Sequence, residues 1–179
     1  MHGLIFASLR DYSRARVGAR ETERIWGEHV YLTTEAYDDD AFRARLDELR
    51  RATGDTAPDL ERGFGIFAAE TTFAGLYPAY YAENGDTLEF LLGIEARIHT
   101  LVRATIRHAQ PPRLRVLRLG ELGVLVSYTS DRRLCTMLEG LVHGVSNHYG
   151  DTVEIEQIQC MLRDDPGCVF TVLRAPDAE

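Results

Sequence analysis

The sequence predicts an α+β fold, in which a helical N-terminal part is followed by a small antiparallel sheet with one helix packed on it. Three observations support this prediction. Apolar residues recur at three- and four-residue steps up to His108, Pro111-Pro112 ends that pattern, and short alternating segments separated by turn residues come after it. With 179 residues, of which 45% are hydrophobic, the chain can build a core large enough to enclose a ligand.

The first helices are predicted from apolar spacing and from the residues at their ends. Positions 4–12 follow helical spacing, and a second such pattern begins at Thr22 and ends near Gly27. A third helix begins at Asp38-Asp39-Asp40, because carboxylates are favourable at the positive end of the helix dipole, and Gly54 stops it.

The next segments lead to a long helix that carries a histidine. Residues 58–69 predict a helix, and residues 73–81 form an aromatic stretch that is interrupted by Pro78 and is expected to line a site. Residues 87–108 predict one long helix, with His99 on or beside its apolar stripe.

The architecture changes after Pro111-Pro112, since proline lacks an N–H group and disfavours helical geometry in the residue before it. Residues 113–119 and 122–128 predict a β-hairpin, and residues 132–149 predict a helix. Residues 153–162 and 168–173 predict two strands on either side of an Asp-Asp-Pro-Gly turn.

Composition excludes several classes of protein. A net charge of −8 without a long Lys/Arg run disfavours nucleic acid as a partner. The apolar run at residues 3–9 is too short for a secretory signal, and no segment reaches the roughly 18 apolar residues of a membrane span. Three cysteines, an odd number, indicate thiols in a reducing compartment, so we expect a cytoplasmic protein.

The residues that carry chemistry are His99 and a polar triplet after the predicted hairpin. A lone histidine on an apolar helix is usually a hydrogen-bonded core residue. Haem iron, however, needs a basic nitrogen on a rigid element and polar groups for two propionates, and Tyr128, Ser130 and Arg132 alternate in a way that lets them converge. From these residues alone, a hydrogen-bonded corner with a surface arginine remains an equal alternative.

Several motifs together resemble one family over essentially the whole chain. They are the opening Met1-x-Gly3, the segment Leu76-Tyr77-Pro78, His99, Pro111-Pro112 and Tyr128-x-Ser130-x-Arg132. The chain resembles the haem nitric oxide/oxygen-binding (H-NOX) domain, in its stand-alone bacterial NO-sensor type related to the haem domain of soluble guanylate cyclase. The resemblance implies a single domain over residues 1–179, with a helical subdomain at 1–60, a haem-clasping subdomain at 61–179, and haem b between them.

The resemblance also implies roles for individual residues. His99 is then the axial ligand of the haem iron, Tyr128, Ser130 and Arg132 bind the propionates, and Pro112 distorts the porphyrin. The positions that match the distal pocket are all apolar: Ile5, Leu9, Ala69, Phe73, Met137 and Leu141.

The distal residues lead to a prediction about the gas. Met137 stands where O₂-binding members of the family have a tyrosine, and methionine has no hydrogen to donate to bound O₂. We therefore expect a five-coordinate ferrous haem that binds NO, and CO more weakly, without a stable O₂ complex. The family also implies a signal through release of His99 to a separate partner, either a histidine kinase or a cyclic-di-nucleotide enzyme.

The cysteines support a second hypothesis. Cys135, Cys160 and Cys168 match positions where some H-NOX proteins hold zinc, but Gln157 occupies the position of the fourth ligand, a histidine. The alternatives are zinc completed by another group, a Cys160–Cys168 disulfide, or three buried thiols. The alternative function is a zinc- or thiol-based redox or interaction module, and a pocket for another flat ligand is a third possibility. No catalytic motif is evident, so we expect no enzyme.

Overall fold

The computed structural model describes residues 1–106 and 109–176, and it confirms the α+β fold. The helices are α1 (Gly3–Trp26), α2 (Asp39–Thr53), α3 (Ala57–Phe67), α4 (Ala74–Leu76), α5 (Pro78–Glu83), α6 (Thr87–Ile94), α7 (Thr100–Thr105) and α8 (Cys135–Tyr149). The strands are β1 (Arg113–Arg118), β2 (Gly123–Thr129), β3 (Val153–Gln159) and β4 (Cys168–Arg174). Two π-helical turns (Ala68–Phe73 and Glu95–His99) and a 3₁₀ turn (Met161–Arg163) complete the set.

The N-terminal helices begin and end largely at the capping residues that the sequence predicts. The side chain of Asp38 accepts a hydrogen bond from the Asp40 backbone N–H at 2.8 Å and caps α2, and Gly54 ends that helix with a φ of 77°. The two predicted helices at the start are instead one kinked helix, α1. Its kink falls at Gly18, whose φ of 79° is outside the helical region.

The predicted long helix over residues 87–108 is interrupted by a π-helical turn. Helix α6 passes directly into the turn Glu95–His99, which passes into α7. The hydroxyl of Thr100 donates to the backbone oxygen of Glu95 at 3.0 Å, five residues earlier. Local apolar spacing does not reveal this insertion, and the last two predicted residues, Arg107 and His108, lie outside the described residues.

The sheet has the strand order β1-β2-β4-β3, and all its pairs are antiparallel. The predicted hairpin is confirmed as β1 and β2, in a register that sets Leu117 opposite Leu125. Helix α8 begins at Cys135 rather than at residue 132. The reason is Arg133, whose φ of 51° lies in the left-handed region and cannot be part of a right-handed helix. Strand β3 ends at Gln159, before the predicted residue 162, because the chain turns into the 3₁₀ turn.

Two buried clusters form the interior. One combines residues of α1, α2 and α3 with Met137 of α8, and the other combines the sheet with α5, α6 and the rest of α8. Helices α3 and α8 touch backbone to backbone: a Cβ on Gly65 would meet the carbonyl oxygen of Met137, and a Cβ on Gly140 would meet that of Arg62. This close approach holds α8 against both clusters. In the part of the chain that the structure describes, no helix has the length and apolarity needed to cross a bilayer.

Candidate functional site

A cavity of about 220 Å³ lies between the two clusters. Its wall is built from the start of α1, the two π-helical turns, helices α5 to α8, and the inner face of β1 and β2. A single water needs only about 10–15 Å³ of such space. The cavity is therefore large enough for an organic ligand, and its wall is apolar except for a few polar side chains.

His99 lies in this wall, at the last residue of the second π-helical turn. Its side chain is 14% exposed, and its Nδ1 lies 2.9 Å from Oε2 of Glu95, the first residue of the same turn. The same carboxylate oxygen accepts the backbone N–H of Leu114 at 3.2 Å. The histidine is thus fixed between the helix and the first residues of β1.

The protonation of this pair follows from its surroundings. Burial raises the pKa of Glu95, but hydrogen bonds from His99, Arg103 and the Leu114 backbone lower it further, so the pKa lies below its usual value. Burial lowers the pKa of His99, and Glu95 only partly offsets this effect. At neutral pH a neutral imidazole therefore donates Nδ1–H to a carboxylate, which can only accept. The lone pair of Nε2 remains for a metal ion.

Tyr128, Ser130 and Arg132 all line the same cavity. Tyr128 is 4% exposed, and burial raises the pKa of its hydroxyl to about 12, so the group is protonated and can donate. The Oγ of Ser130 accepts the backbone N–H of Arg132 at 3.3 Å, which leaves its hydroxyl hydrogen to donate. The sequence motif thus becomes one cluster of donors at the cavity.

Arg132 also joins the two halves of the fold. Its Nε donates to Oδ1 of Asp39 at 2.8 Å, and its Nη1 donates to the carbonyl oxygen of Gln110 at 2.6 Å. The amino group of Met1 donates to the same Asp39 oxygen at 2.5 Å. Among the described residues, Nη2 of Arg132 has no hydrogen-bond partner, and it is available to an anionic group.

The predicted distal residues divide into two groups. Five of them line the cavity: Ile5, Ala69, Phe73, Met137 and Leu141. Of these, Met137 is only 7% exposed. Leu9 does not line it, because one helical turn beyond Ile5 it points into the N-terminal cluster, where it is fully buried. Pro111 and Pro112 lie in the wall as well.

The cavity also holds polar groups that the sequence did not single out. The Nδ1 of His2 accepts the Leu4 backbone N–H at 3.3 Å, and burial lowers the pKa of this histidine. Its proton is therefore on Nε2, which is buried and has no hydrogen-bond partner among the described residues. Tyr77 lines the cavity too, whereas the hydroxyls of Tyr80 and Tyr81 are engaged with backbone carbonyls at 2.5 and 2.9 Å.

The three cysteines meet outside this cavity. The sulfur atoms of Cys135, Cys160 and Cys168 lie within 4.8 Å of one another, all buried and none in a disulfide. The Sγ atoms of Cys135 and Cys160 are 3.7 Å apart. Burial raises the pKa of Cys135 to about 12, so without a bound metal this residue is a protonated thiol at neutral pH. The Nε2 of Gln157 is buried without a partner among the described residues.

Comparison with known families gives a match over most of the chain. The model of the Haem-NO-binding family matches residues 2–157. A search of curated protein sequences gives no significant match.

Solved structures of low sequence identity share the fold. An H-NOX protein from S. oneidensis in the Fe(II)NO ligation state has a TM-score of 0.91 at 22% identity, covering 98% of this chain and 100% of that chain. Unliganded Fe(II) H-NOX protein from K. algicida has a TM-score of 0.85 at 22% identity, covering 100% and 99%. An oxygen-binding H-NOX domain related to soluble guanylate cyclases, in its oxygen complex, has a TM-score of 0.86 at 21% identity, covering 100% and 98%.

Proposed function

Because the chain belongs to the haem-NO-binding (H-NOX) family, we propose that it is a sensor of NO that uses haem b. It also binds CO, more weakly, and forms no stable O₂ complex. The whole chain, residues 1–179, acts as one sensor domain, with subdomains at 1–60 and 61–179. The two clusters support this division, although the N-terminal one extends to Ala68 and includes Met137.

The residues around the cavity suit haem. Haem supplies an iron that binds diatomic gases, and its propionates are anionic. His99 offers the lone pair of Nε2 and is held in the required tautomer by Glu95. Tyr128, Ser130 and Arg132 offer donors to the propionates, and His2 offers a further buried N–H. Pro112 lies in the wall, where it would press on the porphyrin.

The choice of gas rests on one observation, the apolar group of side chains that includes Met137. Bound O₂ is stabilised by a hydrogen-bond donor, whereas NO needs little such help. Met137 provides no donor at the position where O₂-binding relatives have a phenol. Apart from the propionate-binding triplet, His2 and Tyr77 also place donor groups in the wall, so an O₂ complex that persisted would contradict this proposal and make these two residues the first to substitute.

The signal would pass through the element that carries His99. Release of His99 from the iron would remove one of the links that hold the π-helical turn and α7 at the cavity, and it would let the porphyrin relax against Pro112. We propose that a separate histidine kinase or cyclic-di-nucleotide enzyme reads this change, and that the protein itself is a sensor rather than a catalyst. A cytoplasmic site suits its three unpaired thiols.

The test compares the purified protein with a His99→Gly variant. The reduced wild-type protein should show a haem spectrum that shifts with NO and CO, and NO should change the activity of the partner enzyme. His99→Gly should keep the fold by circular dichroism but lose the spectrum of histidine-ligated haem and the response of the partner. An unchanged response in His99→Gly would refute signalling through this residue.

Zinc at the three cysteines is a second candidate, supported by sulfur atoms that lie within 4.8 Å of one another. Three thiolates supply three of the four ligands of a tetrahedral site, and Gln157 is a weak fourth ligand. Metal analysis of the purified protein separates the alternatives. One iron per chain without zinc supports the gas sensor alone, and zinc without haem supports the thiol-based module.

A further inference from the structure

Glu95 is bound through both of its carboxylate oxygens. Oε2 accepts Nδ1–H of His99 at 2.9 Å and the Leu114 backbone N–H at 3.2 Å, while Oε1 accepts a hydrogen bond from Arg103. The side chain of Glu95 is 32% exposed, compared with 14% for His99. Three donors on three different segments therefore fix the carboxylate in one position beside the imidazole.

The π-helical turn connects this carboxylate directly to the histidine. Glu95 is its first residue and His99 its last, so the whole turn lies between the two partners. π-helical turns are rare and are frequently found at functional sites. The contact with Leu114 connects the pair to β1.

We propose that Glu95 is a positioning residue that sets the strength of the bond between His99 and the haem iron. A carboxylate that accepts Nδ1–H draws the proton towards itself and gives the ring partial imidazolate character, which makes Nε2 a stronger ligand. A stronger ligand favours Fe(III) over Fe(II), and it opposes the release of His99 when NO binds. This inference rests on the proposed role of His99 as the iron ligand.

Arg103 should act in the opposite direction. Its guanidinium binds Oε1 of the same carboxylate and withdraws negative charge from it. Arg103 therefore weakens the pull of Glu95 on the imidazole proton. The pair of residues makes the release of His99 adjustable: Glu95 retains the histidine on the iron, and Arg103 favours its release.

The experiment compares Glu95→Gln and Arg103→Gln with the wild-type protein. Glutamine can still accept the hydrogen bonds of His99 and Leu114 but carries no charge, so the local fold is retained. Glu83→Gln is the matched control, because Glu83 also pairs with an arginine, Arg97, and both side chains of that pair are about half exposed. The readouts are the Fe–His stretching frequency by resonance Raman, the midpoint potential, and the rate at which NO displaces His99.

Glu95→Gln should lower the stretching frequency, raise the midpoint potential and speed the displacement of His99 several-fold. Arg103→Gln should shift all three quantities in the opposite direction, and Glu83→Gln should match the wild type. The stretching frequency decides, because the potential also responds to any nearby change of charge.

Two outcomes would overturn the inference. One is a stretching frequency in Glu95→Gln that matches Glu83→Gln, and the other is a shift of both test variants in the same direction. Failure of the proposed function gives a different result. The wild-type protein would then show no Fe–His stretching band, or the His99→Gly variant would still show it.

Discussion

Removal of haem should lower the free energy of unfolding by an amount that depends on the volume of the cavity. Without the ligand, the apolar wall faces about 220 Å³ of space that neighbouring atoms no longer fill. At about 24 cal/mol per Å³ of cavity, the free energy of unfolding falls by about 5 kcal/mol if the wall keeps its shape, and by less if it collapses. This is a large part of the 5–15 kcal/mol that typically stabilises a domain.

The assay is denaturant unfolding of the haem-loaded and haem-free protein, followed by far-UV circular dichroism. The single tryptophan, Trp26, is 1% exposed in the N-terminal cluster and reports on that half of the fold by its fluorescence. Equal midpoints with equal slopes for the two forms would refute the reasoning, since the cavity would then contribute nothing to stability.

A substitution that fills the cavity provides the internal control. Val102 lines the cavity, whereas the adjacent Leu101 is 49% exposed and does not. Val102→Phe should restore part of the lost stability to the haem-free protein and weaken haem binding. Leu101→Phe should change neither quantity. An equal effect of both substitutions would contradict the assignment of the wall.

Three further predictions concern other parts of the molecule. Burial raises the pKa of Glu61 to about 7, so the folded protein binds this proton more tightly than the unfolded chain, and stability falls as pH rises from 4.5 through 7. Glu61→Gln should remove this loss and, at about 1.4 kcal/mol per pKa unit, stabilise the protein at pH 8 by up to about 3 kcal/mol in thermal unfolding. Gly140→Ala should cost about 1–3 kcal/mol because its Cβ would meet the backbone of α3, whereas Gly75→Ala, in open space, should cost little in the same assay. Asp39→Ala should cost less than about 1 kcal/mol of stability. It should nevertheless speed the loss of haem to an acceptor protein, because Asp39 no longer holds the guanidinium of Arg132 in place beside the cavity.

The parts of the fold that the sequence predicts are those with local signals. Asp38 and Gly54 mark the ends of α2 by capping chemistry that acts within a few residues. The alternation in β1 and β2 predicts the hairpin for the same reason. The π-helical turn at Glu95–His99 has no such signal, because the apolar spacing of residues 87–108 is that of one regular helix.

The site divides in the same way. The motifs predict that His99 and the Tyr128, Ser130 and Arg132 triplet belong together, and the structure brings all four to one cavity. Glu95 had a usable signal, since a carboxylate four residues before a histidine faces it on a helix. The orphaned nitrogen of His2 had none, because the path of the chain between helices decides its burial.

The proposed haem site beside Met137 should bind NO and hold no O₂. The most direct measurement is the optical spectrum of the reduced protein in air, followed by addition of NO under anaerobic conditions. We predict that air gives no lasting O₂ complex, that NO gives a stable complex without histidine ligation, and that Met137→Tyr acquires the O₂ complex. A wild-type protein that holds O₂ in air for hours would contradict this account.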